Sequence, residues 1–241
     1  MNEKIMIKQG DCLEIMSNIK DDSIDCIITD PPYRITARGN GGNSGGMFQK
    51  KDVNNGKVFQ TNNLEIEDWL PELYRVLKPQ SHCYIMTNNK NITHYLRAID
   101  NSEFHFIKCL IWVKDNKIMG QTYMSQFEFI IMCRKGGHKR INDCGTSDVL
   151  RIANKKLKNK NGKTIHDTEK PVLLNSILIN NSSNEGDWIL DPFMGIGSCG
   201  VACVENNRKF IGIEIDENYF NIAKERLEKA YENKTVSSTT E

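Results

Sequence analysis

The chain has 241 residues, of which 39% are hydrophobic and 26% are charged, and its net charge is +1. These values are typical of one globular domain and exclude a chain that is disordered throughout. No apolar run reaches the roughly 18 residues of a membrane helix, and residues 1–4 do not resemble a signal peptide. We therefore expect a soluble, cytoplasmic protein.

The first half of the chain alternates strand and helix patterns. The run Ile24–Thr29 is almost continuously apolar, as buried parallel strands are. Residues 34–60 contain six glycines and predict a long flexible loop, either a linker or a segment that orders over a substrate. The predicted strands are Ile5–Lys8, Ile24–Thr29 and Cys83–Met86, and the predicted helices are Leu13–Ile19, Ile66–Leu77 (with Pro71 in its first turn and Pro79 after its end) and Ile92–Ile99.

The second half continues this alternation. Two longer strand patterns, Phe104–Val113 and Phe127–Cys133, predict an antiparallel pair at the edge of the sheet. The whole pattern predicts an α/β fold with a mostly parallel sheet in a single domain. The further predicted elements are helix Val172–Leu178, strand Trp188–Leu190, a glycine turn at 191–200 opening a helix that ends near Asn206, strand Phe210–Ile215, and helix Asn218–Tyr231 before a disordered tail, 236–241.

A strongly basic segment lies between the two halves, 1–133 and 166–235. Residues 134–163 contain ten Lys and Arg against two Asp, a local charge of +8, so the remainder of the chain carries −7. Such a block is typical of a surface that contacts nucleic-acid phosphates, although a solvated surface has the same composition. The candidate contacts within the basic insertion 134–165 are Arg134, Lys135, Lys139, Arg140, Arg151, Lys155 and Lys156.

The eight cysteines are scattered and include no Cys-x-x-Cys pair, and several lie within apolar strand patterns. This distribution argues against a zinc site and against a disulfide framework. We therefore expect reduced thiols in the core and no metal.

A glycine-rich turn follows the predicted strand Trp188–Leu190. Gly195, Gly197 and Gly200 have the G-x-G-x-x-G spacing, and Glu214 lies 19 positions after Gly195. A carboxylate so placed can accept hydrogen bonds from both hydroxyls of a ribose. The unit therefore predicts a nucleoside-cofactor site, and the spacing alone also fits a nicotinamide dinucleotide.

A second motif, Asp30-Pro31-Pro32-Tyr33, directly follows the predicted strand Ile24–Thr29. The Asp30 carboxylate and the rigid Pro31 carbonyl can bind the two hydrogens of an exocyclic amino group. Tyr33 can stack on the ring that carries this group, an interaction worth about 1–3 kcal/mol. Taken alone the four residues also fit a proline-rich turn, but the combination favours a site for a planar base.

The two motifs are expected to meet at one edge of the sheet. If the N-terminal strands complete the same sheet, the strand before Asp30 can lie beside the strand before Asp191, where the strand order reverses. Ligands of open α/β sheets bind in the crevice at such a point. We therefore expect a cofactor and an amino-bearing base to face one another there.

Together the motifs resemble the amino-methylating DNA methyltransferases of the beta arrangement, in which the catalytic half precedes the S-adenosylmethionine half. Gly10-Asp11, Leu73–Pro79 and His166–Pro171 are similar to the family's Gly-Asp, Arg-x-Leu-Lys and His-Pro-Thr-Gln-Lys-Pro motifs. The resemblance covers most of the chain. It implies a Rossmann-like S-adenosylmethionine-dependent methyltransferase fold with a permuted motif order.

The chain departs from the family pattern at several positions. Asp167 and Glu169 replace the family's Pro and Gln, and Ser198-Cys199 stand where two threonines are frequent. The resemblance still implies S-adenosylmethionine as cofactor, double-stranded DNA as substrate, a role in restriction and modification, and an organisation compatible with a homodimer. The implied catalytic residues are Asp30, Pro31, Pro32 and Tyr33, and the implied cofactor-binding residues are Asp11, Cys12, Thr168, Lys170, Pro171, Asp191, Phe193, Gly195, Gly197, Ser198, Glu214 and Ile215.

The identity of the target base also follows from the resemblance. In the family, Asp at the first position of the catalytic motif goes mostly with adenine and Ser mostly with cytosine, so Asp30 favours N6 of adenine. The base must be flipped out of the duplex, because its amino group is not accessible within it. The alternatives are N4 of cytosine, a nucleic-acid-binding scaffold without catalysis, and a nicotinamide-dependent oxidoreductase.

Overall fold

The fold is that of a computed structural model, which describes residues 3–32, 64–118, 123–158, 161–162, 164–165 and 169–238. The predictions for Tyr33, for the loop 34–60, for Thr168 and for 239–241 lie outside these residues. Within them, no helix has both the length and the apolar character needed to cross a membrane.

The strands of the described chain form one eight-stranded sheet. They are β1 (Ile5–Gln9), β2 (Ile24–Thr29), β3 (Leu77–Thr87), β4 (Phe104–Ile118), β5 (Ser125–Lys135), β6 (Val149–Arg151), β7 (Trp188–Asp191) and β8 (Lys209–Glu214). The order is β1-β8-β7-β2-β3-β5-β4-β6, and β5 alone runs antiparallel to its neighbours. The predicted α/β sheet is confirmed, with β6 lying outside the predicted antiparallel pair.

The helices of the described chain pack on both faces of this sheet. They are α1 (Cys12–Met16), α2 (Ile66–Val76), α3 (Ile92–Asp100), α4 (Val172–Ser182), α5 (Ser198–Glu205) and α6 (Glu217–Ser238). Trp69 and Leu73 of α2 are fully buried in one core, on the face covered by α1 to α3. Leu178 of α4 and Leu227 of α6 are buried in the other core, on the opposite face. The result is a three-layer α/β architecture.

The two halves of the chain join where β2 pairs with β7. Cys26 lies opposite Ile189 and Ile27 opposite Leu190, in parallel register. From β2 the chain crosses through α2 to β3 on one side, and from β7 it crosses through α5 to β8 on the other. The carboxyl ends of β2 and β7 therefore border the crevice at which the strand order reverses.

Strand β3 begins earlier than the sequence suggests. It follows α2 directly at Leu77, so Pro79 lies within the strand instead of after a helix end. Ile24 of β2 pairs with Leu77, but the next paired residue of β2, Cys26, already lies opposite His82. Between these two pairs, Gln80 has a positive φ of 62°. Because Pro79 has no N–H to donate, this irregular segment leaves the ladder at the start of the strand.

Three further predictions are corrected. Because α2 begins at Ile66, Pro71 lies in its second turn, not its first, and the helix continues to Val76. Residues 236–238 continue α6 and are helical instead of belonging to a disordered tail. Strand β6 was not predicted, because three residues are too few to show an alternating pattern.

Six of the eight cysteines have buried side chains, as expected for core thiols. Cys109 is half-buried and Cys144 is exposed. In the pair Cys83 and Cys133, the two residues lie opposite each other on β3 and β5, and burial raises the pKa of the Cys83 thiol well above its ordinary value. These thiols therefore act as small apolar side chains.

Gly200 allows α5 to approach the sheet closely. A Cβ at this position would lie 2.7 Å from Leu227 Cδ2 and 2.7 Å from Phe210 Cε1, and both of these side chains are buried. We expect Gly200→Ala to lower the free energy of unfolding by about 1–3 kcal/mol, the usual cost of overpacking a core. Urea denaturation measures this change.

Gly137→Ala is the matched control for this substitution. Its added Cβ would lie 3.6 Å from the nearest atom, Gln80 Nε2, at an exposed position. The control is expected to stay within about 0.5 kcal/mol of the wild type. An equal loss in both variants would contradict the packing argument.

Candidate active site

The carboxyl ends of β2 and β7 bring the two predicted motifs together. Asp191 is the last residue of β7, and Asp30 follows the last residue of β2. The Thr29 hydroxyl donates a hydrogen bond to Asp191 Oδ1 (3.1 Å). The structure therefore joins stretches that are far apart in the sequence, as expected from the topology.

The Asp30 carboxylate has one occupied and one available oxygen. Lys170 Nζ donates to Oδ2, whereas Oδ1 is buried and has no hydrogen-bond partner among the described residues. Burial raises the pKa of Asp30; the Lys170 ammonium opposes this rise and the Glu128 carboxylate adds to it. A buried acceptor without a donor is costly, so Oδ1 is suited to accept a hydrogen bond from a ligand.

Two further charged residues, Lys114 and Glu128, lie near Lys170. Glu128 Oε2 lies 3.4 Å from Lys170 Nζ, and Lys114 Nζ donates to Glu128 Oε1. Neither residue belongs to a motif recognised in the sequence. The available signal was the charge itself, since Glu128 interrupts an apolar strand run, Phe127–Cys133, where ions are rare.

The glycine turn 191–197 connects β7 to α5. Gly195 and Gly197 both have positive φ angles, 53° and 77°, which side chains other than glycine rarely adopt. A Cβ at Gly197 would also lie 3.2 Å from Ala223 Cβ. The turn therefore depends on glycine for its shape and for its close packing against α6.

Glu214, at the end of β8, lies against this turn. The Gly195 N–H donates to Oε2 and the Asp216 N–H donates to Oε1, each at 2.9 Å. Burial raises the pKa of Glu214, and these two N–H groups oppose the rise. Because a carboxylate has about four acceptor positions, each oxygen keeps one for a hydroxyl of a ligand.

The predicted residues at the other end of this crevice lie next to Glu214. Gly10 N–H donates to the Glu214 carbonyl (3.0 Å), and Asp11 Oδ1 caps α1 by accepting from Leu13 N–H (2.8 Å). The Cys12 thiol is buried in the core and its pKa is raised by burial to about 12. Ile215 is exposed directly after Glu214. Asp11 and Ile215 are thus the side chains that a ligand beside Glu214 can contact.

Three of the predicted cofactor-binding residues are held by protein contacts. Phe193 packs edge-to-face on Trp69, with ring centroids 5.7 Å apart. Ser198 Oγ accepts from Asn175 Nδ2 (3.4 Å). Pro171 is the residue that precedes the first turn of α4 and is buried. Of the predicted catalytic residues after Asp30, Pro31 is buried and Pro32 half-buried, whereas Tyr33, like the predicted Thr168, lies outside the described residues.

The departure from the family pattern at Glu169 has a partner in this chain. Glu169 Oε1 forms an ion pair with Arg226 Nη1 (2.7 Å), and its Oε2 accepts from the Leu157 N–H (2.6 Å). Arg226 also donates to the Ile196 carbonyl in the glycine turn (3.2 Å). The charge of Glu169 is therefore compensated, and it connects the segment before Lys170 with the glycine turn.

The basic residues of the insertion are divided between the two ends of the sheet's strands. Arg134 and Lys135 end β5 at the amino-terminal edge, and Lys135 Nζ is bound by Asp22 Oδ1 and by the Tyr74 carbonyl, both at 2.7 Å. The carbonyl of Lys139 contacts His82 Nε2 (3.2 Å), and Arg140 follows it. The structure does not bring these four basic residues to the carboxyl ends of the parallel strands, where Asp30 lies.

The other three basic residues lie on the side of Asp30. Arg151 ends β6, opposite Val113 and next to Lys114. Lys155 and Lys156 follow it, and this segment reaches the site through the hydrogen bond from Leu157 N–H to Glu169. Arg151 and Lys155 are exposed. Of the seven predicted basic residues, Arg151, Lys155 and Lys156 thus lie on the side of Asp30.

Sequence comparisons identify relatives over most of this chain. The family described as DNA methylase, of the N6/N4 type, matches residues 24–225. The type II methyltransferase M.HpaI of Haemophilus parainfluenzae is 31% identical over 92% of this chain and 74% of its own length. The type II methyltransferase M2.DpnII of Streptococcus pneumoniae is also 31% identical, over 93% of this chain and 90% of its own.

Solved structures with the same fold include methyltransferases. The crystal structure of the M1.HpyAVI–SAM complex is 28% identical, with a TM-score of 0.69 over 92% of this chain and 100% of that one. The cytosine-N4-specific PvuII DNA methyltransferase has a TM-score of 0.71 over 96% of this chain and 93% of that one. At 16% identity, the second likeness shows the fold alone.

Asp191 is expected to reduce stability at neutral pH. Burial raises its pKa to about 7, although the Phe193 N–H and the Thr29 hydroxyl stabilise the charged form. In the unfolded chain an Asp loses its proton near pH 4. Between about pH 4 and about pH 7 the folded state therefore keeps a proton that the unfolded state releases, so the stability contributed by this group falls as the pH rises.

The substitution Asp191→Asn removes this titration and keeps an oxygen acceptor for Thr29 and Phe193. We expect its free energy of unfolding, relative to that of the wild type, to increase between about pH 5 and about pH 8. Urea denaturation at both pH values measures the difference, with Asp100→Asn as a control at an exposed position. A difference that is independent of pH would show that Asp191 is already ionised in the folded state.

Proposed function

The chain belongs to the N6/N4 DNA methylase family, and on that premise we propose that it transfers a methyl group from S-adenosylmethionine to N6 of an adenine flipped out of DNA. Residues 24–225, which match the family, include both motifs of the crevice. The single observation that carries the proposal is the buried Oδ1 of Asp30, which has no hydrogen-bond partner among the described residues and lies where β2 meets β7.

The crevice beside the glycine turn fits the cofactor. Glu214 retains one acceptor position on each oxygen for the two ribose hydroxyls, and exposed Ile215 provides an apolar surface for a flat ring. Asp11, with one carboxylate oxygen committed to α1, lies at the same end. When bound, the sulfonium of S-adenosylmethionine makes the attached methyl carbon electrophilic. Gly195 and Gly197 keep the floor of this crevice free of side chains.

The role of Asp30 follows from the chemistry of an aromatic amino group. The lone pair of such a nitrogen is delocalised into the ring, so it is a weak nucleophile. Hydrogen bonds from its two hydrogens to Asp30 Oδ1 and to the Pro31 carbonyl favour a pyramidal nitrogen and orient its lone pair. Pro31 is buried, its ring fixes φ, and the following Pro32 restricts its ψ, so its carbonyl is held rigidly.

The other two residues of the motif have supporting roles in this proposal. Pro32 limits the backbone after the carbonyl, and Tyr33 stacks on the flipped base. Asp30, still a carboxylate when the amino group binds, also disperses the positive charge that develops on the nitrogen. A covalent intermediate with the enzyme is not required for this transfer.

Adenine is proposed as the target because Asp stands at the first position of the motif, the residue that goes mostly with adenine in this family. The fold is compatible with either base, since PvuII DNA methyltransferase has the same fold and is cytosine-N4-specific. Double-stranded DNA is the proposed substrate, and flipping supplies the base. A homodimer would extend the DNA-contacting surface beyond the short segment 151–156.

The substitution Asp30→Ala tests the catalytic role. We expect the rate of methyl transfer to fall about 100-fold or more, as when one preorganised group is removed from an active site, while cofactor binding is retained. Lys170 keeps Glu128 as a partner, but one buried positive charge is left uncompensated, so urea denaturation of the variant accompanies the rate measurement to show that it is folded. Labelled methyl transfer to duplex DNA, followed by nucleoside digestion, measures the rate and separates N6-methyladenine from N4-methylcytosine.

Asp100→Ala is the control for this experiment, since it removes an exposed carboxylate at the end of α3. Normal turnover by Asp30→Ala would overturn the mechanism. A wild type that binds DNA without any methyl transfer would favour a scaffold. Calorimetric titration that detected binding of NAD and none of S-adenosylmethionine would favour an oxidoreductase.

The division of the basic insertion makes a second prediction. We expect Arg151→Ala/Lys155→Ala to weaken DNA binding similarly for all sequences and to reduce the slope of log K against log salt by about two, one for each lost phosphate contact. Arg134→Ala/Arg140→Ala is the matched control and should leave the slope unchanged. Fluorescence anisotropy over a salt series measures both. A reduced slope in Arg134→Ala/Arg140→Ala and an unchanged slope in Arg151→Ala/Lys155→Ala would place the DNA at the amino ends of the parallel strands.

A further inference from the structure

Four charged side chains from four separate segments form one chain of contacts behind the crevice. Lys114 of β4 binds Glu128 Oε1, Glu128 Oε2 lies 3.4 Å from Lys170 Nζ, and Lys170 binds Asp30 Oδ2. The side chains of Lys114 and Lys170 are only 7% and 5% exposed. This set of residues is called the ion chain below.

The ion chain is balanced in charge. Two ammonium groups alternate with two carboxylates, so each buried ion has at least one opposite charge beside it. Removing a single partner from such a set leaves an uncompensated buried charge, which is costly. Charge balance alone, however, does not explain why the ion chain ends at Asp30, whose second oxygen has no partner among the described residues.

The geometry of Lys170 connects the two observations. Its ammonium contacts one oxygen of Asp30 and one oxygen of Glu128. The contact with Glu128 limits where the ammonium can lie, and the ammonium in turn determines which Asp30 oxygen is occupied. If Lys170 were free to shift, it could bridge both Asp30 oxygens and block the acceptor that a substrate needs.

We propose that Glu128, held by Lys114, is a positioning residue for methyl transfer: through Lys170 it fixes the Asp30 carboxylate with Oδ1 directed at the amino group of the base. This inference rests on the function proposed above and extends it to two residues that do not contact the substrate. Asp30 remains the catalytic residue.

The charges around Asp30 make the role of Glu128 measurable. Besides Lys170, Glu128 and Lys114, the described groups that interact with Asp30 electrostatically include Asp191 at the end of β7 and the Tyr95 hydroxyl of α3. The Glu128 charge raises the pKa of Asp30, and the Lys114 charge lowers it. Burial acts to raise the pKa of Glu128 itself, but the two lysines hold it below its ordinary value.

Opposite shifts are therefore expected from two substitutions. Glu128→Gln removes the charge that raises the pKa of Asp30, so the acid limb of the pH–rate profile should move to lower pH. Lys114→Met removes a charge that lowers it, so the limb should move to higher pH. At neutral pH, Glu128→Gln should also reduce the rate about 10- to 100-fold, because a poorly oriented group loses most of its effect.

The experiment is single-turnover methyl transfer over a pH series, with each variant saturated with DNA and S-adenosylmethionine. Dissociation constants for both ligands should match those of the wild type, since the proposal places neither residue in contact with a ligand. The double variant Lys114→Met/Glu128→Gln restores the charge balance, so its acid limb should return towards that of the wild type. If one single variant does not fold, the double variant still tests the proposal in a folded protein.

Lys108→Met/Asp148→Asn is the control, because this pair joins β4 to the residue before β6 at the exposed edge of the same sheet (2.9 Å). Its pH profile should match that of the wild type. The positioning role is overturned if the rate falls at every pH without movement of the acid limb in either single variant. It is also overturned if the acid limbs of the two single variants move in the same direction. An inactive wild type would instead refute the proposed function.

Discussion

Parallel pairing between β2 and β7 determines where every other part of the site can lie. The hydrogen bond from Thr29 to Asp191 joins residues 162 positions apart in the sequence. Because β3, the next strand after β2, lies on one side and β8, the next strand after β7, lies on the other, a crevice opens between the carboxyl ends of β2 and β7. The glycine turn supplies one wall of this crevice, and Asp30 with Pro31 supplies the other.

The second constraint is the cost of burying charge. A lysine and a carboxylate taken from water each lose hydration worth several kcal/mol, which is recovered only through close opposite charges. Lys170 meets this condition between Asp30 and Glu128, and Glu128 meets it between Lys170 and Lys114. The antiparallel strands β4 and β5 therefore do more than extend the sheet: they place Lys114 and Glu128 beside Lys170, the partner of Asp30.

Most of the fold could be predicted from the sequence, because its strands are apolar runs bounded by Gly, Pro and Asp. The adjacency of Asp30 and Asp191 followed from the rules of parallel sheets. Three features could not be predicted, because they depend on tertiary contacts: the entry of Pro79 into β3, the pairing of short β6 with β4, and the closure of the ion chain through Glu128. The division of the basic insertion belongs to this class too, since composition carries no direction.

Glu214 is bound into the protein through three separate contacts: its carbonyl accepts from Gly10, and its carboxylate accepts from Gly195 and Asp216. Three loops are thereby tied to one residue without any help from a bound molecule. A nucleoside arriving there has little disorder to remove, so less of its binding free energy is lost to conformational entropy. The described contacts therefore make this end of the crevice a preformed template for the proposed cofactor.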